Sequence, residues 1–197
     1  MIIEICGLPG VGKSTLIERV VGTQDLVVVK VDNKMEILWF FFKGFFRRPF
    51  FTMVTTYLAA VSSPSLSLFW NSVFVRPAKS EKALSCKAKL CVVEEGYHQN
   101  MLSFSTALLD EVRLRKYIES IPNIGKVLVL EIDEKTRAER LSERGWSTME
   151  VGSKNGLKRS ESTLLVYSNF KKIVKDNTAY SFPSSLSEVE INIQEIK

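Results

Sequence analysis

Gly7-Leu8-Pro9-Gly10-Val11-Gly12-Lys13-Ser14-Thr15 follows the β-prone run Ile2-Ile3-Glu4-Ile5-Cys6 and opens the amphipathic stretch Lys13–Val21. The pattern is Gly, four residues, then Gly-Lys-Ser, and each part meets a physical need. The glycines permit backbone torsions closed to other residues and let the chain wrap closely around an anion. Successive amide N–H groups then point inward, and the helix that follows offers its positive N-terminal end to the same place. Lys13 adds a mobile positive charge suited to the β- and γ-phosphates of a nucleotide, and the Ser14 hydroxyl is placed to ligate magnesium. Leu8, Pro9, Gly10, Val11, Gly12, Lys13, Ser14 and Thr15 are therefore the candidate nucleotide-binding residues. Placement between a strand and a helix separates this loop from an isolated glycine turn.

Outward from the loop, short apolar β-prone runs alternate with helical stretches, the pattern of a parallel sheet with covering helices. Strands are expected at Ile2–Cys6, Leu26–Val31, Leu90–Glu94, Lys126–Ile132 and Glu188–Ile193. The first four are nearly continuous apolar runs, as strands buried on both faces require. A helix is expected over Met101–Ser120, where Met101, Phe104, Leu108 and Val112 fall at helical spacing. Ile121-Pro122-Asn123-Ile124-Gly125 breaks it. Another should start at the N-cap Asp133 and run to about Arg144, and helical character returns over Ser160–Asp176. Ser62–Ser67 reads as a loop between two helices, and Gly145–Gly156, polar and glycine-punctuated, as a lid or exposed loop.

The 197 residues suit one α/β domain with a small mobile insertion, and 45% hydrophobic content is enough for a real core. A formal charge of +5 suits an anionic ligand, and equally nucleic acid or an anionic membrane. Cys6, Cys86 and Cys91 make an odd count without paired spacing, which argues against a disulfide framework. Cys6 and Cys91 lie in strand-like runs where a buried reduced thiol is expected. His98 is the only histidine, so no metal cluster emerges. With no signal peptide ahead of the glycine loop, a cytoplasmic location is expected.

Two further segments bear on chemistry. Leu90-Cys91-Val92-Val93-Glu94-Glu95-Gly96 is an apolar run ending in carboxylates, where an acidic residue should sit beside the loop. Glu94 is the first choice to position magnesium or accept an acceptor hydroxyl proton, with Glu95 as the alternative because adjacent strand residues face opposite ways. In the Asp133–Gly145 stretch, Arg137, Arg140 and Arg144 recur at i, i+3 and i+7 on one helix face, with Ala138 and Leu141 expected on a different, more apolar face. Guanidinium groups there would stabilise charge on a transferring phosphoryl group. The interleaved Glu134, Glu139 and Glu143 also allow a merely salt-bridged solvent face.

Together these elements resemble the P-loop nucleotide-binding proteins, through the Walker A pattern of Gly7–Thr15. Within them the layout is similar to the nucleoside and nucleotide monophosphate kinases, the thymidylate-kinase-like branch nearest in length and order. The resemblance rests on Gly7–Thr15, Val92–Gly96 and Arg137–Gly145, with Lys158-Arg159-Ser160-Glu161 a weaker echo of the family's arginine-then-glutamate helix entry. It implies a three-layer P-loop NTPase fold with a parallel sheet of about five strands flanked by helices. One domain would span 1–197, with an acceptor-side helical region at 35–84 and a lid at 145–160. It implies ATP and Mg2+ as cofactors, with Lys13, Glu94, Arg140 and Arg144 in catalysis, Arg137 with the nucleotide loop, and Ser14 and Glu94 on the metal. Asp32 is a further carboxylate for magnesium or the nucleophile. The activity implied is phosphoryl transfer to a small acceptor: nucleotide-like, a sugar or a lipid-linked glycan.

The departures are specific. Thymidylate kinases carry an Asp-Arg pair where Glu94-Glu95-Gly96 stands, and Val31-Asp32-Asn33-Lys34 lacks the arginine-and-proline signature that grips a nucleoside monophosphate. The alternative class is an NTP-hydrolysing switch or assembly factor. A guanine-specific switch is disfavoured, because Asn33-Lys34-Met35-Glu36 imitates the base-reading motif poorly and too early. Trp39–Phe51 holds eight aromatic residues in thirteen positions, interrupted by Lys43, Gly44, Arg47, Arg48 and Pro49. It is too short and basic to span a bilayer, which takes about 20 apolar residues. Three uses are open: a core helix, an apolar acceptor pocket or homodimer interface, and a membrane-surface patch. The partners expected are a nucleoside triphosphate and a small-molecule acceptor, and not nucleic acid.

Overall fold

The buried strand Ile2–Gly7 (β1) organises the molecule. The computed structural model describes residues 1–23, 26–63, 65–105, 107–143, 154–183 and 188. Among them β1 is joined on one side by Cys91–Glu94 (β3), which in turn carries Val27–Val28 (β2) at the edge. On the other side stands Lys126–Leu130 (β4), and beyond it Tyr180–Ser181 (β5). Every pairing is parallel, in the order β2-β3-β1-β4-β5. The register sets Ile5 beside Glu94 and Gly7 beside Leu130. Chain order reverses across β1, and a parallel sheet leaves a ligand crevice at such a point.

Parallel neighbours need crossovers, and helices supply them on a five-stranded parallel sheet. Lys13–Thr23 (α1) follows the first loop. Lys34–Arg47 (α2) is capped by Asn33, whose side chain accepts from the Glu36 N–H. Pro49–Ser62 (α3) follows after the single residue Arg48, with Pro49 at a first-turn position where its missing N–H does no harm. Leu66–Trp70 (α4) passes through a π-helical turn, Asn71–Val75, into Arg76–Leu84 (α5). The wider turn accommodates Pro77, which cannot donate to an ordinary helical bond. Ile3, Ile5, Leu16, Leu128, Phe104 and Phe170 are the fully buried centre. No helix among the described residues is long and apolar enough to cross a membrane.

The structure corrects two expectations and leaves a third outside the described residues. The expected helix over Met101–Ser120 is two, Tyr97–Ser103 (α6) and Glu111–Ser120 (α7). Asp110 caps the second by accepting from the Arg113 N–H at 2.9 Å; Phe104 and Leu108 are buried in the connection, and Val112 faces solvent. The second strand pairs over only two residues of the expected six, with Val29 N–H adding a bond to Val92 O at 2.8 Å. The expected strand Glu188–Ile193 lies outside the described residues apart from Glu188, and Tyr180–Ser181 holds the edge position. The helices Glu134–Glu143 (α8) and Lys154–Val174 (α9) complete the set, the first beginning at Asp133 as expected. All three cysteines are free, Cys6 and Cys91 buried as expected.

The aromatic stretch is divided between two environments. Phe51 is buried and Phe41 packs against the core, but Trp39, Phe42, Phe46 and Phe50 are exposed. A core helix is therefore not the account of this segment. Gly44 explains why α2 can still lie close to α5: a Cβ there would stand 2.9 Å from Glu81 Cγ. Glu81 is fully buried, paired with Arg48 and Arg47 and accepting from Tyr97 Oη at 2.9 Å.

Candidate functional site

The glycine loop closes around its own backbone at the C-terminal end of β1. Gly10 and Gly12 hold φ values of +88° and +95°, which side-chain-bearing residues rarely adopt. A Cβ on Gly10 would meet Leu141 Cγ at 3.1 Å, and one on Gly12 would meet Arg140 Nη1 at 3.2 Å. Leu8 and Val11 are buried and anchor the loop from beneath, while Ser14 and Thr15 open α1 in an exposed position. Gln99 fixes the entrance, its Oε1 accepting from the Gly7 N–H at 3.1 Å.

Lys13 turns back into this loop. Its Nζ donates to Gly7 O at 3.1 Å and Leu8 O at 3.4 Å, and pairs with Glu95 Oε1 at 3.3 Å. The side chain is only 8% exposed. Ser14 Oγ donates to Glu94 Oε1 at 2.7 Å. The two carboxylates after β3 are thus separated by backbone geometry. Glu94 ends the strand in register with Ile5, and Glu95 takes φ +58°, turning its side chain toward Lys13. Both sequence alternatives reach the loop, on different partners.

Behind Glu95 stands a buried cation that the sequence reading did not select. Arg76 pairs with Glu95 Oε2 at 3.4 Å and donates to Asn100 Oδ1 at 3.1 Å, Ser103 Oγ at 2.5 Å and Ser72 Oγ at 3.4 Å. Lys79, one turn further on α5, donates to Glu94 O at 3.1 Å. Burial pushes the Glu95 carboxyl up, but Arg76 and then Lys13 outweigh it and hold the group below its ordinary value. Burial lowers the Lys79 amine against the pull of Glu95 and Glu94. A signal existed: residues 49–75 carry no charge at all, and Arg76 and Lys79 end that run at i, i+3. A cation emerging from so apolar a stretch must find a partner.

The arginine helix α8 stands against the glycine loop. Arg137 is buried, held by Glu134 through Nε at 2.7 Å, and its Nη1 reaches Pro9 O at 3.5 Å. Arg140 Nη1 reaches Gly10 O at 3.5 Å. Leu141 does not lie on a different face, because its Cγ and Arg137 both crowd Gly10. Ala138 and Glu139 are exposed. Arg144 and residues 145–153 of the expected lid lie outside the described residues, and 154–160 form the start of α9. Asp32 is not brought to Ser14 by any hydrogen bond among the described residues. It precedes the α2 cap, its N–H donating to Glu36 Oε2 at 2.8 Å, beside a cavity of about 520 Å³ shared with Phe40 and Lys82.

Glu4, in the middle of β1, is fully buried and caps α6. Its Oε1 accepts from the His98 N–H at 2.8 Å and the Gln99 N–H at 3.3 Å, and its Oε2 bonds His98 Nδ1 at 2.8 Å. His98 is thereby a structural residue, and no group of three or more metal-binding side chains occurs among the described residues. The loop nevertheless fits a triphosphate with its cation. Glycines keep the cradle open, Lys13 and Arg140 supply positive charge, and Ser14 with Glu94 offers the hard oxygen donors that magnesium takes alongside phosphate and water.

No protein-family model and no curated protein matches the chain. Solved structures do. Deoxyadenosine kinase from M. mycoides with dCMP and a flexible dCDP bound matches at TM-score 0.54 and 14% identity, covering 100% of this chain and 98% of that one. The same enzyme with dATP gives 0.52 over 100% and 99%, and with dCTP 0.50 over 100% and 98%, both at 14% identity. The chain therefore has the P-loop NTPase fold, a five-stranded parallel sheet flanked by helices, and shares it with these kinases over its whole length.

Proposed function

We propose that the chain transfers the γ-phosphoryl group of ATP to a hydroxyl of a nucleoside-like acceptor. The observation that carries this reading is the paired contact at the loop mouth: Ser14–Glu94 at 2.7 Å beside Lys13–Glu95 at 3.3 Å. In this reading the loop amides and Lys13 hold the β- and γ-phosphates, Lys13 leaving Glu95 to do so. Ser14 and Glu94 would hold magnesium, which would supply neutralisation of charge on the phosphate oxygens. Arg137 braces the loop through Pro9, and Arg140 lies nearest to where the transferring group's charge develops. Arg144 would join it.

Glu95, one third exposed and shared between Lys13 and Arg76, is the carboxylate we assign to the acceptor hydroxyl. The hydroxyl oxygen attacks the γ-phosphorus, the bond from that phosphorus to the β-γ bridging oxygen breaks, ADP leaves with that oxygen and its electron pair, and the proton passes to Glu95 or to an oxygen of the transferred phosphoryl group. A loose transition state demands position more than a strong base, so a carboxylate held below its ordinary pKa suffices. Nucleoside-like acceptors are preferred to a sugar or lipid-linked glycan because the matched solved structures hold nucleotides.

The test is turnover of radiolabelled Mg-ATP with a panel of nucleosides, deoxynucleosides and their monophosphates, resolved by chromatography. A labelled acceptor product is expected, lost in Lys13→Ala with weakened ATP binding. ATP hydrolysis without any labelled acceptor would overturn the transferase reading in favour of an NTP-driven switch.

A further inference from the structure

The helices α2 and α3 leave a shared apolar face in solvent. On α2, Met35, Trp39, Phe42 and Phe46 recur at helical spacing and are half or more exposed. On α3, Phe50, Met53, Tyr57 and Val61 do the same. Trp39, Phe46 and Phe50 are 69%, 78% and 76% exposed. At roughly 200 Å² for each large side chain, the eight present on the order of 1,000 Å², above the few hundred Å² of apolar patch usual on a monomer. Between the helices runs a groove of about 440 Å³, walled by Phe41, Phe45, Met53 and Tyr57.

Charge indicates what covers this face. Residues 37–80 contain Lys43, Arg47, Arg48, Arg76 and Lys79 and no carboxylate. Arg76 and Lys79 are turned to the candidate site, so Lys43, Arg47 and Arg48 are the cations of this segment that stand beside the face. Lys34 precedes the aromatic ridge, and Lys43 and the half-exposed Arg47 flank it, Lys43 lying over the Phe40 ring. The carboxylate that Arg47 and Arg48 do meet, Glu81, is fully buried. A second copy packed two-fold on this face would set cations against cations, and the one carboxylate on α2 and α3, Glu36, is already paired with Lys82 at 2.6 Å. An anionic bilayer surface meets both features, taking aromatic rings into its headgroup boundary while lipid phosphates meet the cations.

We propose that the α2–α3 face docks this protein on an anionic membrane surface. The proposal stands apart from the phosphoryl-transfer reading, since no residue of the loop takes part. Co-sedimentation of the full chain at low salt tests it, with phosphatidylcholine vesicles lacking or containing phosphatidylglycerol. Partition onto the anionic vesicles should be at least about tenfold stronger, and should fall as ionic strength rises. Phe46→Ser/Phe50→Ser and, separately, Lys34→Glu/Lys43→Glu should each lose about tenfold or more while keeping cooperative thermal unfolding. Phe46→Ser alone serves should a double variant fail to fold. Brominated lipid should quench wild-type tryptophan emission, with the effect diminished in Trp39→Phe. Absent partition by the folded protein, or equal partition onto neutral vesicles, would overturn the proposal. So would charge-reversed variants that bind unchanged, or a solution dimer that Phe46→Ser/Phe50→Ser dissociates while vesicles stay unbound.

Discussion

Glu94 and Glu95 are chain neighbours with separate partners, and the proposed function gives them different tasks. Glu94 is bonded to the Ser14 hydroxyl, whereas Glu95 is held between Lys13 and Arg76. Glu94→Gln should lower kcat by about 10–100-fold and raise the magnesium needed for half-maximal rate, with little change in ATP affinity. Arg140→Ala, which removes a cation beside Gly10, should lower kcat about tenfold or more if, as proposed, its charge acts on the transferring group. Glu139→Ala, exposed on the same helix, should stay within about twofold. Steady-state kinetics with calorimetric ATP titration separate these outcomes, and equal effects in all three variants would reduce α8 and the β3 end to scaffolding. The sequence singled out both glutamates and Arg140 as candidates. It could not divide the two glutamates, because the left-handed turn at Glu95 is set by the loop and helices packed around it.

At the scale of elements, α2 meets α5 across Gly44, where helix propensity alone would favour another residue. Glycine inside a helix costs about 1 kcal/mol relative to alanine when nothing else intervenes. Here alanine should be worse, because its Cβ would enter the space of Glu81, which is buried and held by Arg48 and Tyr97. Gly44→Ala is expected to destabilise by about 1–3 kcal/mol, read as a lower urea midpoint at unchanged slope. A gain in stability would mean that the two helices are free to separate. The broken helix after Met101 teaches the same lesson. Spacing of Met101, Phe104 and Leu108 was genuine, since all three are buried, but Asp110 offers a cap that restarts the helix. Periodicity reports burial, and local capping decides where one helix becomes two.

For the whole molecule, ligand linkage is the direct readout. Saturating Mg-ATP should raise the thermal midpoint of the wild type, at 100 times Kd by an amount equivalent to about 2.7 kcal/mol. An acceptor nucleoside with a non-hydrolysable ATP analogue should raise it further, and Lys13→Ala should blunt both effects. No shift with Mg-ATP would remove the nucleotide site altogether. The sequence by itself determined the strand–loop–helix of Ile2–Thr15, four of the five strands of the sheet, and the arginine-bearing helix that starts after Asp133. Each of these rests on contiguous residues, whose periodicity and glycine placement act within a few positions of one another. Only the tertiary structure decided that Arg76, Lys79, Gln99 and Asn100 crowd the same site, and that Glu4 on β1 caps α6. It also decided that the aromatic ridge faces outward. Those outcomes depend on parallel strand order, which joins segments far apart in the chain, and on which helix face the sheet can still cover once its own apolar surface is spent.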